Sequence, residues 1–224
     1  MVEKSFYMVV LVLSCLLCLV YLYDRKNEQE TYIGAAAQYN GKRVALTFDD
    51  GPHATYTKEL LQGLEERNVR ATFFLVGQNV KGNEEIVSMM KENGHLIGNH
   101  TYSHVVLNEI SKDAALLEIH KTSEIISEIT GENPIYIRPP CGEWDEEMLY
   151  EVDMIPVFWT VDPMDWNRTD ISGIVKYVVS NVKDGDIVLM HDIFDTSVAA
   201  ALEIVDELKK QGFIFVTVEE ILIS

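Results

Sequence analysis

The sequence is poor in cysteine and in basic residues. Among its 224 residues are three cysteines, and 18 Lys and Arg stand against 36 Asp and Glu. Three cysteines are too few for a disulfide scaffold. A formal net charge of −18 leaves no electrostatic footprint for a phosphate backbone. We therefore exclude a disulfide-stapled fold and nucleic acid as a partner.

Apolar residues, in contrast, are plentiful. They make up 47% of the chain, which can bury a sizeable core and excludes a disordered or collagen-like protein. Cys15 and Cys18 lie inside an apolar run, which leaves Cys141 without a partner in the rest of the chain. The composition predicts an acidic globular protein without disulfide support.

The amino-terminal part contains an uncharged run over residues 6–23. As a helix, these 18 residues would extend about 27 Å, roughly one hydrocarbon core. A buried core helix, a cleaved signal peptide and a lipoprotein signal are the alternatives. The run is apolar on all faces, the possible cleavage site at residues 35–37 is distant, and the chain stays apolar after Cys15. An uncleaved signal anchor therefore fits the run best.

The flanking charges do not orient this anchor, because Lys4 precedes the run while Arg25 and Lys26 follow it. The predicted organisation is a short tail over residues 1–5, a transmembrane anchor over 6–23, a polar stalk over 24–40 and one globular domain over 41–224.

From Arg43 onward, short β-rich runs alternate with stretches of helical periodicity. The predicted strands are 44–48, 72–76, 95–99, 135–138, 156–160, 186–190 and 213–218. The predicted helices include 55–67, 84–94, 111–130, 171–182 and 197–210. About seven alternations predict a parallel α/β arrangement, closed or nearly closed.

In parallel α/β folds, reactive residues gather at the carboxyl ends of the strands. Five consecutive predicted strand ends carry polar, reactive side chains. These segments are DDGP (49–52), HTYSH (100–104), RPPCG (138–142), DPMDW (162–166) and HD (191–192).

Two of these histidines have metal-ligand spacing. His100 and His104 are four residues apart, which would place both on one face of a helix or helical turn. Thr101 stands where a zinc-protease HExxH motif has its glutamate, so that chemistry loses its general base. Asp49 and Asp50 are an obvious source of a third ligand. Three protein ligands with an open position are typical of catalytic zinc. Unrelated surface histidines and a solvated acidic turn are the alternatives.

The segments TFDDGP, GNHTYSH, RPPCG, DPMDW and LMHD, in this order, resemble the five signature segments of the polysaccharide deacetylases, carbohydrate esterase family four. The resemblance extends from about Arg43 to Leu222. It implies a distorted (β/α) barrel of about seven parallel strands and a divalent metal, usually zinc. It also implies hydrolysis of N-acetyl groups on GlcNAc polymers or of O-acetyl groups on xylan.

Carried over to this sequence, the resemblance implies that Asp50, His100 and His104 are the metal ligands and that Asp49 is the general base. Arg138 would orient that base and hold it ionised, since a neighbouring cation favours a carboxylate.

The resemblance also assigns the second half of the reaction. The backbone N–H of Cys141 would stabilise the oxyanion, and it is the first donor after two prolines. His191 would protonate the leaving nitrogen, with Asp165 orienting it and keeping it charged. Trp166 and Leu189 would form the apolar pocket for the acetyl methyl group.

Cys141 is also the main departure from the family, which often has an aromatic residue at this position. The backbone role should survive this change, but one wall of the substrate groove would be missing. The thiol could contact the metal or oxidise; a small filler without a role is the simpler interpretation.

The leading hypothesis is therefore a hydrolase that removes N-acetyl groups from GlcNAc of a cell-wall glycan, with peptidoglycan favoured by the anchor. The alternatives are a chitooligosaccharide deacetylase, an acetylxylan esterase and an inactive glycan-binding module. We expect a monomer at the cell membrane with its catalytic domain outside, or a secreted protein if residues 1–37 are cleaved.

Overall fold

The computed structural model describes residues 41–145 and 151–223, which belong to one compact unit, Gly41–Ser224. The predicted tail, anchor and stalk (residues 1–5, 6–23 and 24–40) lie outside the described residues. Among the helices that the structure describes, we find no segment with the length and apolar content that a bilayer crossing requires.

Strands and helices alternate along the described chain. The strands are β1 (Lys42–Asp49), β2 (Thr72–Leu75), β3 (Leu96–Asn99), β4 (Tyr136–Ile137), β5 (Ile155–Pro156), β6 (Asp186–His191) and β7 (Phe213–Phe215). The helices are α1 (Tyr56–Glu66), α2 (Gly77–Val80), α3 (Glu84–Glu92), α4 (Lys112–Thr130), α5 (Ile171–Asn181), α6 (Asp195–Lys210) and α7 (Val218–Leu222). Short 3-10 turns cover Leu107–Glu109, Pro140–Gly142 and Asp165–Asn167.

All strand pairs are parallel, and the sheet order is β5-β4-β3-β2-β1-β6, with β7 paired to the first residues of β1. The chain after β5 also contacts the opposite edge. Val161 forms a parallel bridge with Val188 of β6, and its carbonyl accepts a hydrogen bond of 2.9 Å from the N–H of Leu189. One segment therefore joins both edges of the sheet, which agrees with the predicted distorted barrel.

The predicted strand over 156–160 differs from the observed one. Regular pairing with β4 ends at Pro156, and a bridge to β6 is formed only at Val161. The N–H groups of Thr160 and Val161 both donate to the carbonyl of Ile187. This stretch crosses from one sheet edge to the other, so it cannot hold a single ladder.

The side chains of β1 alternate between two environments. Val44, Leu46 and Phe48 belong to the large cluster between sheet and helices, whereas Ala45 packs in the barrel interior with residues such as Phe74. Because side chains of a strand point to opposite faces in turn, Asp49 shares the inner face with Ala45. The last residue of β1 therefore presents a carboxylate to the mouth of the barrel.

Helix α4 packs beside this mouth. Its buried residues are Ala115, Ile119, Thr122 and Ile126, a helical stripe of period close to 3.6. The helix ends where predicted, at Gly131, which has a φ of 75° and takes the left-handed cap conformation that glycine adopts without penalty.

Candidate active site

The inner carboxylate of β1 is paired with an arginine from β4's carboxyl end. Asp49 is 3% exposed, and its Oδ1 lies 2.9 Å from Nη1 of Arg138. The predicted base and its predicted orienting cation are therefore in direct contact. Such a charge-assisted hydrogen bond holds the carboxylate in one position.

Arg138 itself is fully buried. Its Nη1 also donates to Oγ1 of Thr47 at 2.6 Å, its Nε donates to the carbonyl of Val157, and its guanidinium lies 4.3 Å from the ring centre of Phe74. Burial lowers the pKa of Arg138, while the charge of Asp49 raises it. A buried guanidinium is sustained by such partners, so the Asp49–Arg138 pair is part of the barrel's interior.

The three predicted metal ligands converge beside this pair. The Nε2 atoms of His100 and His104 lie 3.5 and 3.2 Å from Oδ1 of Asp50. Nδ1 of His100 lies 2.6 Å from the carbonyl oxygen of Arg138. Since a carbonyl only accepts, Nδ1 of His100 donates in this contact, and Nε2 is the nitrogen that faces Asp50.

The backbone explains why neighbouring carboxylates reach one cavity. Asp49 ends β1 on the inner face, and Asp50 follows with a left-handed φ of 74°. This reversal brings the side chain of Asp50 to the same mouth instead of to the outer face. The backbone carbonyl of Asp50 accepts a hydrogen bond of 2.8 Å from Nδ2 of Asn79, which holds the turn.

The predicted helical turn between the two histidines is wrong. Residues 100–106 form a loop, and Thr101 and His104 take left-handed φ values of 64° and 59°. The two imidazoles still meet, with ring centres 4.9 Å apart. Local backbone reversals, not helical periodicity, bring both histidines together.

The donor set fits a divalent metal. The ligand atoms of Asp50, His100 and His104 all lie within 4.8 Å of one another, and Oδ1 of Asp50 is buried without a hydrogen-bond partner. Burial opposes the charge of Asp50, but the facing imidazoles, that of His100 most of all, lower its pKa below the ordinary value. Burial and His100 together lower the pKa of His104. Metal binding requires an ionised carboxylate and unprotonated imidazole nitrogens, and the pKa shifts of Asp50 and His104 both favour that state.

A histidine–aspartate pair faces these ligands from the neighbouring strand. His191, the last residue of β6, is in register with Asp49. Its Nδ1 lies 2.9 Å from Oδ1 of Asp165, and its backbone N–H donates to Oδ2 of the same carboxylate. Burial lowers the pKa of His191, but the hydrogen bond and charge of Asp165 outweigh it and raise that pKa to about 9.

The three predicted metal ligands, Asp49 and His191 line one cavity of about 500 Å³. Of the remaining predicted residues, Leu189 is buried in its wall, Trp166 is 52% exposed, and Cys141 is exposed with a left-handed φ of 59°. The structure thus brings ten predicted site residues together: Asp49, Asp50, His100, His104, Arg138, Cys141, Asp165, Trp166, Leu189 and His191.

Three further residues of the cavity wall had no predicted role, namely Trp159, Asp162 and Phe194. Trp159 lies against the Cys141–Gly142 turn, since a Cβ added at Gly142 would sit 3.2 Å from its ring. Asp162 opens the DPMDW segment and was a visible candidate. Trp159 and Phe194 carried no signal of their own, because aromatic residues near strand ends are usually core.

Comparisons with known proteins agree with this geometry. The family model described as polysaccharide deacetylase matches residues 36–156. A peptidoglycan-N-acetylglucosamine deacetylase of Bacillus cereus is 37% identical over 209 residues, covering 90% of this chain and 98% of the relative. The chain belongs to the polysaccharide deacetylase family. This membership confirms the predicted family and the predicted class of enzyme, a polysaccharide deacetylase.

Longer members of the polysaccharide deacetylase family are equally similar. The peptidoglycan-N-acetylmuramic acid deacetylase PdaC of Bacillus subtilis is 39% identical over 182 residues, but the chain spans only 39% of its length. The solved structure of PdaC from Bacillus subtilis superposes with a TM-score of 0.80 at 39% identity. That match covers 82% of this chain and 91% of the solved chain.

Proposed function

We propose that this protein is a metal-dependent deacetylase that hydrolyses N-acetyl groups of GlcNAc residues in peptidoglycan and releases acetate. One observation carries the proposal. The Asp50–His100–His104 cluster, the Asp49–Arg138 pair and the His191–Asp165 pair meet at one cavity. A hydrolase needs an electrophile, a base and an acid: the ligand cluster would hold the electrophile, and Asp49 and His191 supply the base and the acid from two strand ends.

The base side of the reaction belongs to Asp49. Arg138 fixes one oxygen of this carboxylate, and the other oxygen lies 3.8 Å from Nε2 of His100. Asp49 accepts the proton of a water molecule as that water attacks the acetyl carbonyl carbon. A metal held by Asp50, His100 and His104 would supply Lewis acidity for both water and carbonyl.

The acid side belongs to His191. With its pKa raised to about 9, this imidazole is protonated at neutral pH and can donate a proton to the leaving nitrogen. The backbone N–H of Cys141 would stabilise the oxyanion, while Trp166 and Leu189 would enclose the acetyl methyl group. The C–N bond then breaks to give acetate and a free amine on the sugar.

We further propose zinc as the metal. One carboxylate and two imidazoles leave a position open for substrate, which is the pattern of catalytic zinc sites. Imidazole ligands also suit other divalent transition metals, so the test below includes cobalt.

We also propose that the domain acts outside the cell. The predicted anchor over residues 6–23 would tether it to the membrane beside the wall polymer. The acidic surface would not attract anionic wall polymers, so substrate capture would depend on the cavity and on the tether.

The alternatives are a chitooligosaccharide deacetylase, an acetylxylan esterase and an inactive glycan-binding module. The inactive module is disfavoured because the base and all three ligands are in place. An esterase is disfavoured because oxygen leaving groups need less help from an acid than His191 provides.

The test measures acetate release by the full-length protein, loaded with zinc or cobalt, from peptidoglycan, chitooligosaccharides and acetylxylan. Turnover of the N-acetylated glycans, fastest on peptidoglycan, is expected. Turnover of acetylxylan alone would assign the esterase, and an ion-loaded protein that releases no acetate from any of the three would refute the proposal.

The histidine–aspartate pair leads to a pH-dependent prediction. Because His191 must be protonated to act, kcat is expected to fall as pH rises through about 9. In Asp165→Asn the burial of His191 remains but its anionic partner is lost, so its pKa falls and the alkaline limb moves toward neutral pH. At pH 8 this variant should lose about 10-fold or more in kcat relative to its own activity near pH 6. A pH–rate profile of both proteins checks this shift, and an alkaline limb near pH 9 in Asp165→Asn would contradict the assigned acid.

A further inference from the structure

The loop between the two histidine ligands takes a costly backbone path. Thr101 and His104 both have left-handed φ values, which non-glycine residues rarely adopt. Such conformations persist only where surrounding contacts over-determine them. The contacts that hold this loop come from the sheet, from α2 and from α4.

The first half of the loop is held from the sheet and from α2. The N–H of Thr101 donates to Oδ1 of Asn99 at 2.8 Å, and the carbonyls of Thr101 and Tyr102 accept from the N–H groups of Gly77 and Gln78. Together with the 2.6 Å contact of His100 to a backbone carbonyl, these bonds fix the first histidine. They do not engage the N–H groups that lead into His104.

The second half of the loop is held by one glutamate of α4. Oε2 of Glu118 accepts from the N–H of Tyr102 at 3.0 Å and from the N–H of Ser103 at 2.7 Å. Both carboxylate oxygens also lie 3.0 Å from Oγ of Ser103. One half-buried side chain thus satisfies two consecutive backbone donors and the hydroxyl immediately before His104.

The helical turn that carries Glu118 is held by the core and by Asn99. Glu118 precedes Ile119, which is buried in the helix stripe, and the carbonyl of Ile119 accepts from Nδ2 of Asn99. The contacts of Asn99 therefore connect α4 to the loop a second time, on the side of Thr101. Hydrogen bonds therefore tie the helix to the loop at two points, through Asn99 and through Glu118.

We infer that Glu118 is a positioning residue for the metal site: it holds residues 102–103 so that His104 reaches Asp50. The inference rests on the proposed metal site of the preceding subsection, but not on the identity of the glycan. His104 needs this support more than His100, because its side chain is 40% exposed and that of His100 only 3%.

Substitutions separate positioning from charge. In Glu118→Ala all three contacts are lost, and the affinity for Zn²⁺ should fall about 10- to 100-fold, as for other partners that orient metal ligands. In Glu118→Gln the amide oxygen can still accept both N–H groups, so affinity should stay within severalfold of the wild type. Glu124→Ala, an exposed glutamate on the same helix, is the matched control and should bind Zn²⁺ as the wild type does.

The experiment measures the Zn²⁺ dissociation constant of each full-length variant by competition with a chelator. The absorption spectrum of the Co²⁺-loaded proteins reports the geometry of the ligands, and thermal melting of the metal-free proteins reports stability. A merely structural role would lower the metal-free Tm in Glu118→Ala without changing affinity or spectrum.

The outcomes are distinct. Weakened binding and an altered Co²⁺ spectrum in Glu118→Ala, with Glu118→Gln close to wild type, support the inference. Equal losses in both variants would show that charge matters and positioning does not, which overturns it, as would unchanged binding in Glu118→Ala.

If Glu118→Ala does not fold, Ser103→Ala, which loses only the hydroxyl contact, must bind more weakly than Glu124→Ala or the inference fails. A wild-type protein that binds no ion would overturn the proposed function as well, whereas loss of deacetylation alone would leave the inference standing.

Discussion

Replacing Asp49 with asparagine is expected to lower kcat by about 10²–10⁴-fold while leaving Zn²⁺ bound. Asparagine has nearly the same shape and keeps an oxygen for Arg138, but it cannot take a proton from water. The ligand set remains intact, because Asp50, His100 and His104 form the cluster without Asp49. The measurement is kcat on an N-acetylated glycan together with the zinc content of the purified protein.

Asp50→Ala is the matched comparison, since the two carboxylates are neighbours in sequence and line the same cavity. This variant removes the one carboxylate of the ligand cluster, so both zinc content and activity should be lost. The assignment of base and ligand would be wrong if Asp49→Asn lost its zinc, or if Asp50→Ala kept both zinc and turnover.

Replacing Arg138 with methionine is expected to lower the free energy of unfolding by about 3–5 kcal/mol. Arg138 is fully buried, and its loss leaves the carboxylate of Asp49, itself 3% exposed, without its cation. An uncompensated buried charge costs far more than the pair itself contributes. Urea unfolding of the metal-free proteins measures the change.

The double variant Asp49→Asn/Arg138→Met shows whether the cost comes from the orphaned charge. Its destabilisation should be smaller than the sum of the single changes by about 1–3 kcal/mol. The surface pair of Arg67 and Asp206, with contacts of 2.9 Å but partly exposed side chains, is the control. Arg67→Met should cost only about 0–1 kcal/mol. Additive single and double changes at Asp49 and Arg138 would show that the two side chains are not coupled.

Much of the candidate site was predictable because parallel strands end at a common edge. The β-rich run over 44–48 places Asp49 at a strand end, and Asp49 is in register with His191 at the end of another. Neighbouring strand ends lie close enough for side chains to meet. The order of the five segments therefore carried information on proximity that no single residue carried.

Backbone reversals were not predictable in this way. The spacing of His100 and His104 indicates a helical turn, yet both histidines meet through left-handed residues in a loop. A glycine in the sequence would indicate a left-handed conformation, but Thr101 and His104 do not. Tertiary hydrogen bonds decide the path, and these have no local signature.

The role of Glu118 was not predictable from the sequence either. It lies in a helix with charged residues at most turns, such as Asp113, Glu124 and Glu128, and nothing in its neighbours distinguishes it. Its role emerges only when α4 is packed beside the loop. The long-range contacts of charged helix residues can therefore be found only in a structure, whereas motifs at strand ends can be recognised in the sequence.

The proposed reaction of this cavity is the removal of N-acetyl groups from GlcNAc of peptidoglycan. Mass spectrometry of muropeptides, prepared from peptidoglycan treated with the zinc-loaded full-length protein, tests it most directly. We expect free amines on GlcNAc, in proportion to the acetate released, and none after treatment with Asp49→Asn. Free amines confined to N-acetylmuramic acid, or muropeptides unchanged by an ion-loaded wild-type protein, would contradict it.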